Sequence, residues 1–277
     1  TCGKLFSTLF GAPYVTMMII GAAFVLLYTI LGGFLAESVS DFMQAIVMIV
    51  ALAVIVIIGV FKAGGVGEVI TNSKEIPGFL EFFGLATPAL DANGEQIIEA
   101  GKPLFGSASN YGVLSICSTL AWGLGYFGMP QVLLRFMAIR KEDELKRSRR
   151  IATVWVVISL SVAVFIGLVG RQLFPVAHLT KGGAENIFIT LATNSLPAIL
   201  AGFVMAGILA ATISSSDSYL LIAASAFSKN IFQGIFKKNA NDKQVMTVSR
   251  ITLLALALIG ILFALDENSV IFDIVSF

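Results

Sequence analysis

The sequence predicts an all-α, polytopic membrane protein, and three observations lead there. Of its 277 residues, 57% are hydrophobic and only 13% charged, with a mean hydropathy of +0.92. A water-soluble domain carries about 25% charged residues. The charges that remain sit between apolar runs close to the ~20 residues a bilayer-spanning helix needs. Finally, 12 of the 18 Lys and Arg gather in two short segments, seven in 135–150 and five in 229–250.

The runs follow in order. Residues 13–35 lie in the charge-free interval between Lys4 and Glu37, and 42–61 ("FMQAIVMIVALAVIVIIGVF") in that between Asp41 and Lys62. The intervening "AESVSD" at 36–41 reads as a turn. A third charge-free run covers 103–134, apolar from Tyr111 onward. The fourth, 151–170, is bracketed by Arg150 and Arg171. From 186 to 228 the only charge is Asp217, so this run is too long for one straight span and is expected to bend near Pro197. The sixth, 245–265, requires Arg250 to snorkel toward headgroups. A seventh begins after "DEN" at 266–268. The expectation is about six complete transmembrane helices plus the start of a seventh.

Residues 1–277 read as a single transmembrane domain. Segment 63–110, mixing Gly, Pro and acidic residues, reads as an extramembrane loop with one or two short helices. Cytoplasmic loops carry the Lys/Arg excess, so 135–150 and 229–250 read as basic cytoplasmic loops. By alternation the 36–41 turn is cytoplasmic, while 63–110 and 172–185 are external. Basic loops of this kind need no ligand to explain them. The opening "TCGKLFSTLFG" and the apolar final run suggest an internal piece of a longer membrane protein.

Composition also narrows the chemistry. Net charge is +1, which gives no reason to expect a nucleic-acid partner. Cys2 and Cys117 make neither a disulfide framework nor a metal motif. One histidine, His178, supports neither a zinc site nor a Ser–His–Asp triad. No enzyme and no bound cofactor are expected.

Two motifs carry the functional argument. "WGLGYFGMP" at 122–130 places Gly123, Gly125, Gly128 and Pro130 in nine residues, which should break the helix. Broken backbone at membrane depth is tolerated where it is buried in protein or lines a cavity. Trp122 and Tyr126, four apart, share a face beside the break. That combination suits a small zwitterion, with backbone N–H groups for a carboxylate and an aromatic face for a ring or cation. A Gly-rich helix–helix contact is the alternative.

The second motif is "ILAATISSSDSYLL", 208–221. Ala211, Ser214, Ser215 and Ser218 fall at i, i+3, i+4 and i+7, one stripe of a helix. The hydroxyls at i+3 and i+4 lean back toward the carbonyl of residue i. Three neutral oxygens form half a shell for Na⁺, whereas Ca²⁺ usually recruits several carboxylates. Back-bonding of each hydroxyl to its own helix is the alternative, and it is the expected state of the off-stripe Thr212 and Ser216. Asp217, at the stripe's edge, is an intramembrane acid and hence a functional candidate.

These stretches resemble the sodium:solute symporter family, and within it the sodium/proline type. "WGLGYFGMPQVLLRFMA" (122–138) is the most specific part. "ILAATISSSDSYLLIAASAF" (208–227), "GKLFSTLFG" and "YTILGGFLAESVSDFMQA" (28–45) agree with it. The resemblance implies a partial inverted-repeat, LeuT-like transporter fold. The chain would hold the last two helices of one five-helix repeat and the first four of the next, without the first core helix.

Position by position, the resemblance gives sodium the Ala211 carbonyl and the Ser214 and Ser215 hydroxyls, with Ser215 standing where Thr is usual. It assigns Trp122, Tyr126 and Pro130 to the solute. Asp41 matches an acid of the cytoplasmic cation pathway, though a plain helix N-cap is the alternative. Asp217 and Ser218 join it as pathway or gate residues. Met129 and Gln131 replace the family's usual Gln and His beside the break. The function expected is Na⁺-coupled symport of a small solute, L-proline foremost, across the plasma (inner) membrane by a multi-pass protein whose partners are solute, Na⁺ and lipid. The alternatives are the same family with pantothenate, a sugar or another amino acid, or a transporter-like sensor domain of a signalling protein.

Overall fold

A computed structural model describes residues 2–265, so the apolar run beginning beyond residue 268 lies outside the described residues. The described residues are helical apart from one β-containing stretch and short connecting turns. In order it forms α1 (Cys2–Phe10), α2 (Tyr14–Lys62), α3 (Val66–Lys74), strands β1 (Gly84–Leu85), β2 (Ile98–Glu99), β3 (Lys102–Pro103) and β4 (Ser109–Asn110), then α4 (Val113–Gly125), a 3₁₀ turn (Tyr126–Gly128) and α5 (Pro130–Met137). There follow α6 (Glu142–Leu173), α7 (Lys181–Ala184), α8 (Ile187–Ser195), α9 (Ala198–Ala226), a π-type segment (Phe227–Phe236) and α10 (Asp242–Phe263). Among the described residues, five helical segments are long and apolar enough to cross a membrane: Tyr14–Lys62, Val113–Met137, Glu142–Leu173, Ala198–Phe236 and Asp242–Phe263. They expose long apolar side chains, such as Ile151, Val154, Leu160 and Val164 on α6, which suits lipid and not water.

The first two expected spans form one 49-residue helical segment, α2, broken at Gly33, where φ is 58° and ψ −161°. The expected turn at 36–41 is therefore helical, and Asp41 lies inside α2 and not at an N-cap. The reason is local. Residues 34–46 contain no Gly or Pro, so the helix resumes at once, and only Gly33 accepts the left-handed φ. A Cβ there would meet no atom within 4 Å, so a substitution acts through conformation alone. Gly33→Ala is expected to lower stability by on the order of 1–3 kcal/mol in denaturant unfolding of the purified protein. An alanine variant as stable as the parent would mean that the break is not held there.

The two breaks expected at prolines are present and share a mechanism. A proline pushes the residue before it out of the helical region. Met129 precedes Pro130 with ψ 120°, and Leu196 precedes Pro197 with φ −116° and ψ 149°. The sixth run starts at a capping box. The Asn241 side chain accepts from the Gln244 N–H at 2.9 Å, and the Gln244 side chain accepts from the Asn241 N–H at 3.3 Å.

The segments between the apolar runs carry more regular structure than plain loops. Segment 63–110 holds one helix, α3, and two small antiparallel ladders, β1–β4 and β2–β3. Gly at 78, 94 and 101 takes positive φ there and lets the chain turn back on itself. The basic segments 135–150 and 229–250 are mostly helix. Eight of their twelve Lys and Arg sit on helix, on α5, the start of α6, the π-type segment and α10, and the other four, Arg140, Lys141, Lys237 and Lys238, on the short links at 138–141 and 237–241. Lys and Arg at membrane helix ends extend their heads to water without needing a loop.

The described residues fall into two compact units. One runs to Ala51 and resumes at Gly202; the other is Leu52–Ala201. In the first, α2 and α9 pack at small residues: a Cβ on Gly207 would stand 2.6 Å from the Ala51 Cβ. The Tyr14 hydroxyl donates to the Ala264 carbonyl at 2.9 Å just past α10. In the second, Gly59 of α2 sits against Val169 and Leu191, and Gly170 against Ile187. Lys62 Nζ donates to the Asn194 carbonyl at the end of α8 at 3.0 Å, and Gln172 Nε2 to the Ala63 carbonyl at 2.8 Å.

Candidate cation and solute sites

The five Ser and Thr hydroxyls of 212–218 on α9 all donate to carbonyls of their own helix, so the back-bonding alternative describes this state of the chain. Thr212 bonds to Ile208 and Ser216 to Thr212, as expected off the stripe. The stripe differs in one respect. Ser214 and Ser215 both donate to the same acceptor, the Ala211 carbonyl, each at 3.1 Å. That convergence gathers three neutral oxygens at one point on the helix surface. Ala211 and Ser215 are exposed and Ser214 is half-buried, so a cation could reach them once the hydroxyl hydrogens turn aside. Among the described residues no group of three or more His, Cys, Asp or Glu could hold a metal ion. A cation here would be bound by neutral oxygens, a donor set that fits Na⁺.

Asp217 is fully buried (0% exposed) and is held by two donors. The Tyr28 hydroxyl donates to its Oδ2, and the Ser218 N–H to its Oδ1 at 2.7 Å. Ser218 lies next to a second buried acid, with its hydroxyl 2.5 Å from Glu37 Oε1 and 2.9 Å from the Ser214 carbonyl. Tyr28 and Glu37 stand on opposite sides of the Gly33 break and reach neighbouring residues of α9. Asp41 lies one turn beyond Glu37 on α2. The polar core of this unit is thus Tyr28, Glu37, Asp217 and Ser218, one hydroxyl away from the Ala211 cluster.

Sequence reasoning did not include Tyr28 or Glu37. Reading 36–41 as a turn put Glu37 in water, whereas it is 3% exposed. The available signal was an acid only four residues beyond a glycine, in a stretch with no other helix breaker.

The solute candidates lie in the other unit, on the broken helix. Trp122 is on α4, Tyr126 opens the 3₁₀ turn, and Pro130 is the first residue of α5. Trp122 is 41% and Tyr126 54% exposed. A Cβ on Gly123, Gly125 or Gly128 would meet nothing within 4 Å, so no described helix packs closely against these glycines. The two residues that depart from the resembled pattern meet each other: Gln131 Nε2 donates to the Met129 sulfur at 3.3 Å.

Comparison with known proteins sets these sites in a family. The chain is 36% identical over 280 residues to the osmoregulated proline transporter OpuE of Bacillus subtilis, covering 99% of the chain and 51% of that protein. It is 32% identical to the sodium/proline symporter of Escherichia coli, over 99% of the chain and 51% of the symporter. The chain therefore spans about half the length of the curated relatives it matches. Its fold is similar to the structure of a Na⁺-coupled sialic acid symporter in a substrate-bound, outward-open state. The TM-score is 0.71 at 22% identity, covering 94% of this chain and 52% of that one. The model of one family matches the chain along residues 1–277: the chain belongs to the sodium:solute symporter family.

Proposed function

We propose that this protein is a Na⁺-coupled secondary transporter that moves a small solute inward across the plasma (inner) membrane, with L-proline as the solute. The observation that carries the cation assignment is the convergence of the Ser214 and Ser215 hydroxyls on the Ala211 carbonyl. The proline assignment is supported by Trp122 and Tyr126 beside the Pro130 break, and by relatives named as proline transporters. Those relatives are named for transport and not for catalysis, and we read this chain likewise as no enzyme.

In this reading the protein is a multi-pass membrane protein, its family and five apolar helical segments agreeing. Counting α2 as two spans around Gly33 gives six, arranged as the end of one inverted repeat and the start of the next. Segment 63–110 faces outward and the basic segments 135–150 and 229–250 face the cytoplasm. Na⁺ at the Ala211 cluster favours the solute-ready state, and by linkage the solute favours Na⁺ to the same degree. Asp41, Asp217 and Ser218 lie on the cation's way out. The exposed oxygens of Ala211 and Ser215 leave half a coordination shell to be completed by other parts of the protein.

The test is uptake of labelled proline by the full-length protein in vesicles. Uptake driven by an inward Na⁺ gradient supports the reading, and uptake indifferent to Na⁺ rejects it. A second reading keeps the mechanism and changes the solute. It rests on the Gln131–Met129 bond, which gives the break side chains other than the Gln and His usual in proline-type members. Competition by pantothenate, sugars and other amino acids separates the two. Trp122→Ala is expected to raise the half-saturating solute concentration by about tenfold, roughly 1.4 kcal/mol of lost binding, with a smaller change for Na⁺. The reverse order would undo the solute assignment.

A further inference from the structure

The segment "FLEFFGL", Phe79 to Leu85, has no place in the transport reading, and its exposure is unusual for an extramembrane stretch. Phe82 is 89% exposed, Phe83 60% and Leu80 50%. The Phe82 and Phe83 rings meet edge to face with centroids 4.9 Å apart, so they form one apolar knob. An exposed apolar patch of this kind marks an interaction site.

The segment is rigidly presented. Gly84 N–H donates to the Glu81 carbonyl at 3.1 Å, closing the turn under the two rings. A Cβ on Gly78 would lie 2.6 Å from the Ala108 Cβ, and one on Gly84 2.7 Å from the Gly78 carbonyl oxygen. The two sides of the turn touch too closely to admit larger residues. β1 then pairs Gly84 and Leu85 with Asn110 and Ser109.

Two independent fastenings place it beside ends of spanning helices. The Phe83 carbonyl accepts from the Tyr111 N–H at 2.7 Å, two residues before α4 begins with the exposed Val113 and Leu114. On the other side, Phe79 lies under Arg171, whose guanidinium carbon is 5.7 Å from the Phe79 ring centre and 5.3 Å from that of Phe105. Arg171 is the first charge after the apolar run 151–170 of α6. A charge at that position marks the level of the headgroups. The knob is therefore continuous with the surfaces of α4 and α6 that face lipid.

We propose that Phe82 and Phe83 insert into the outer leaflet at the boundary of headgroups and acyl chains, anchoring segment 63–110 to the bilayer. Glu81, exposed between Leu80 and Phe82, stays among the headgroups. This anchoring rests on the membrane-spanning reading of α4 and α6 and on the outward placement of 63–110, but on neither the solute nor the cation assignment.

The experiment uses the full-length protein, its native cysteines replaced, reconstituted in phosphatidylcholine vesicles. Phe82→Cys carries a nitroxide label, and its collisions with oxygen and with a water-soluble nickel chelate are measured. Two reference labels accompany it: Leu160→Cys in the middle of α6 and Asn93→Cys in the exposed β-containing loop. Insertion predicts an oxygen-to-nickel collision ratio several-fold above that at Asn93 and approaching that at Leu160. A ratio equal to that at Asn93 places the knob in water and overturns the proposal. An immobile label shielded from both reagents means another part of the protein covers the knob, which overturns it as well. If the Leu160 label itself collides freely with nickel, the spanning reading fails, and this outcome is distinct from failure of the anchor alone.

Discussion

Asp217→Ala is expected to destabilise the purified protein by about 2–3 kcal/mol, because it leaves the Tyr28 hydroxyl and the Ser218 N–H aimed at an empty position. The carboxyl group is fully buried and held by both donors. Asp217→Asn keeps an oxygen for Tyr28 and should cost about 1 kcal/mol, the net worth of an ordinary hydrogen bond. Denaturant unfolding of the two variants beside the parent gives the comparison. Tyr28→Phe combined with Asp217→Ala should be less harmful than the sum of the single changes, since both remove the same interaction. Strict additivity would mean that the two side chains act independently and that the bond does not organise this unit.

The second large effect concerns Na⁺. Ser214→Ala or Ser215→Ala should each raise the Na⁺ concentration for half-maximal uptake by about tenfold, corresponding to roughly 1.4 kcal/mol. The double variant should lose more. Ser216→Ala is the control: its hydroxyl bonds to Thr212 off the stripe, and its sodium dependence should match the parent's. Proline affinity at saturating Na⁺ should change little in any of the three. If both stripe variants keep the parent's sodium dependence, the Ala211 cluster is an internal helix feature and the cation binds elsewhere.

How far each feature could be read from sequence depended on the distance along the chain over which its cause acts. The break at Met129–Pro130 and the bend at Leu196–Pro197 were legible because a proline constrains the residue beside it. The stripe of Ala211, Ser214 and Ser215 was legible because helical periodicity alone aligns it. The reading of 36–41 as a turn failed through its own evidence: polar residues between two apolar runs usually mark water. Here Gly33 had already provided the break, and the acid it would have exposed is turned inward to Ser218. In 63–110, the strands are two residues long and each pairing is set by its partner, so no alternation could reveal them.

The sequence alone determined the class of molecule, its long apolar runs, the glycine-broken helix and the hydroxyl stripe. Each follows from solvent preference or backbone rules acting within a few residues. Only the tertiary structure decided that Asp217 is held by Tyr28, 189 residues away, and Ser218 by Glu37, 181 away. A carboxylate in an apolar interior must find a donor wherever the packing of helices brings one. Periodicity could show that Asp217 needed a partner, but only the packing of α2 against α9 could supply it.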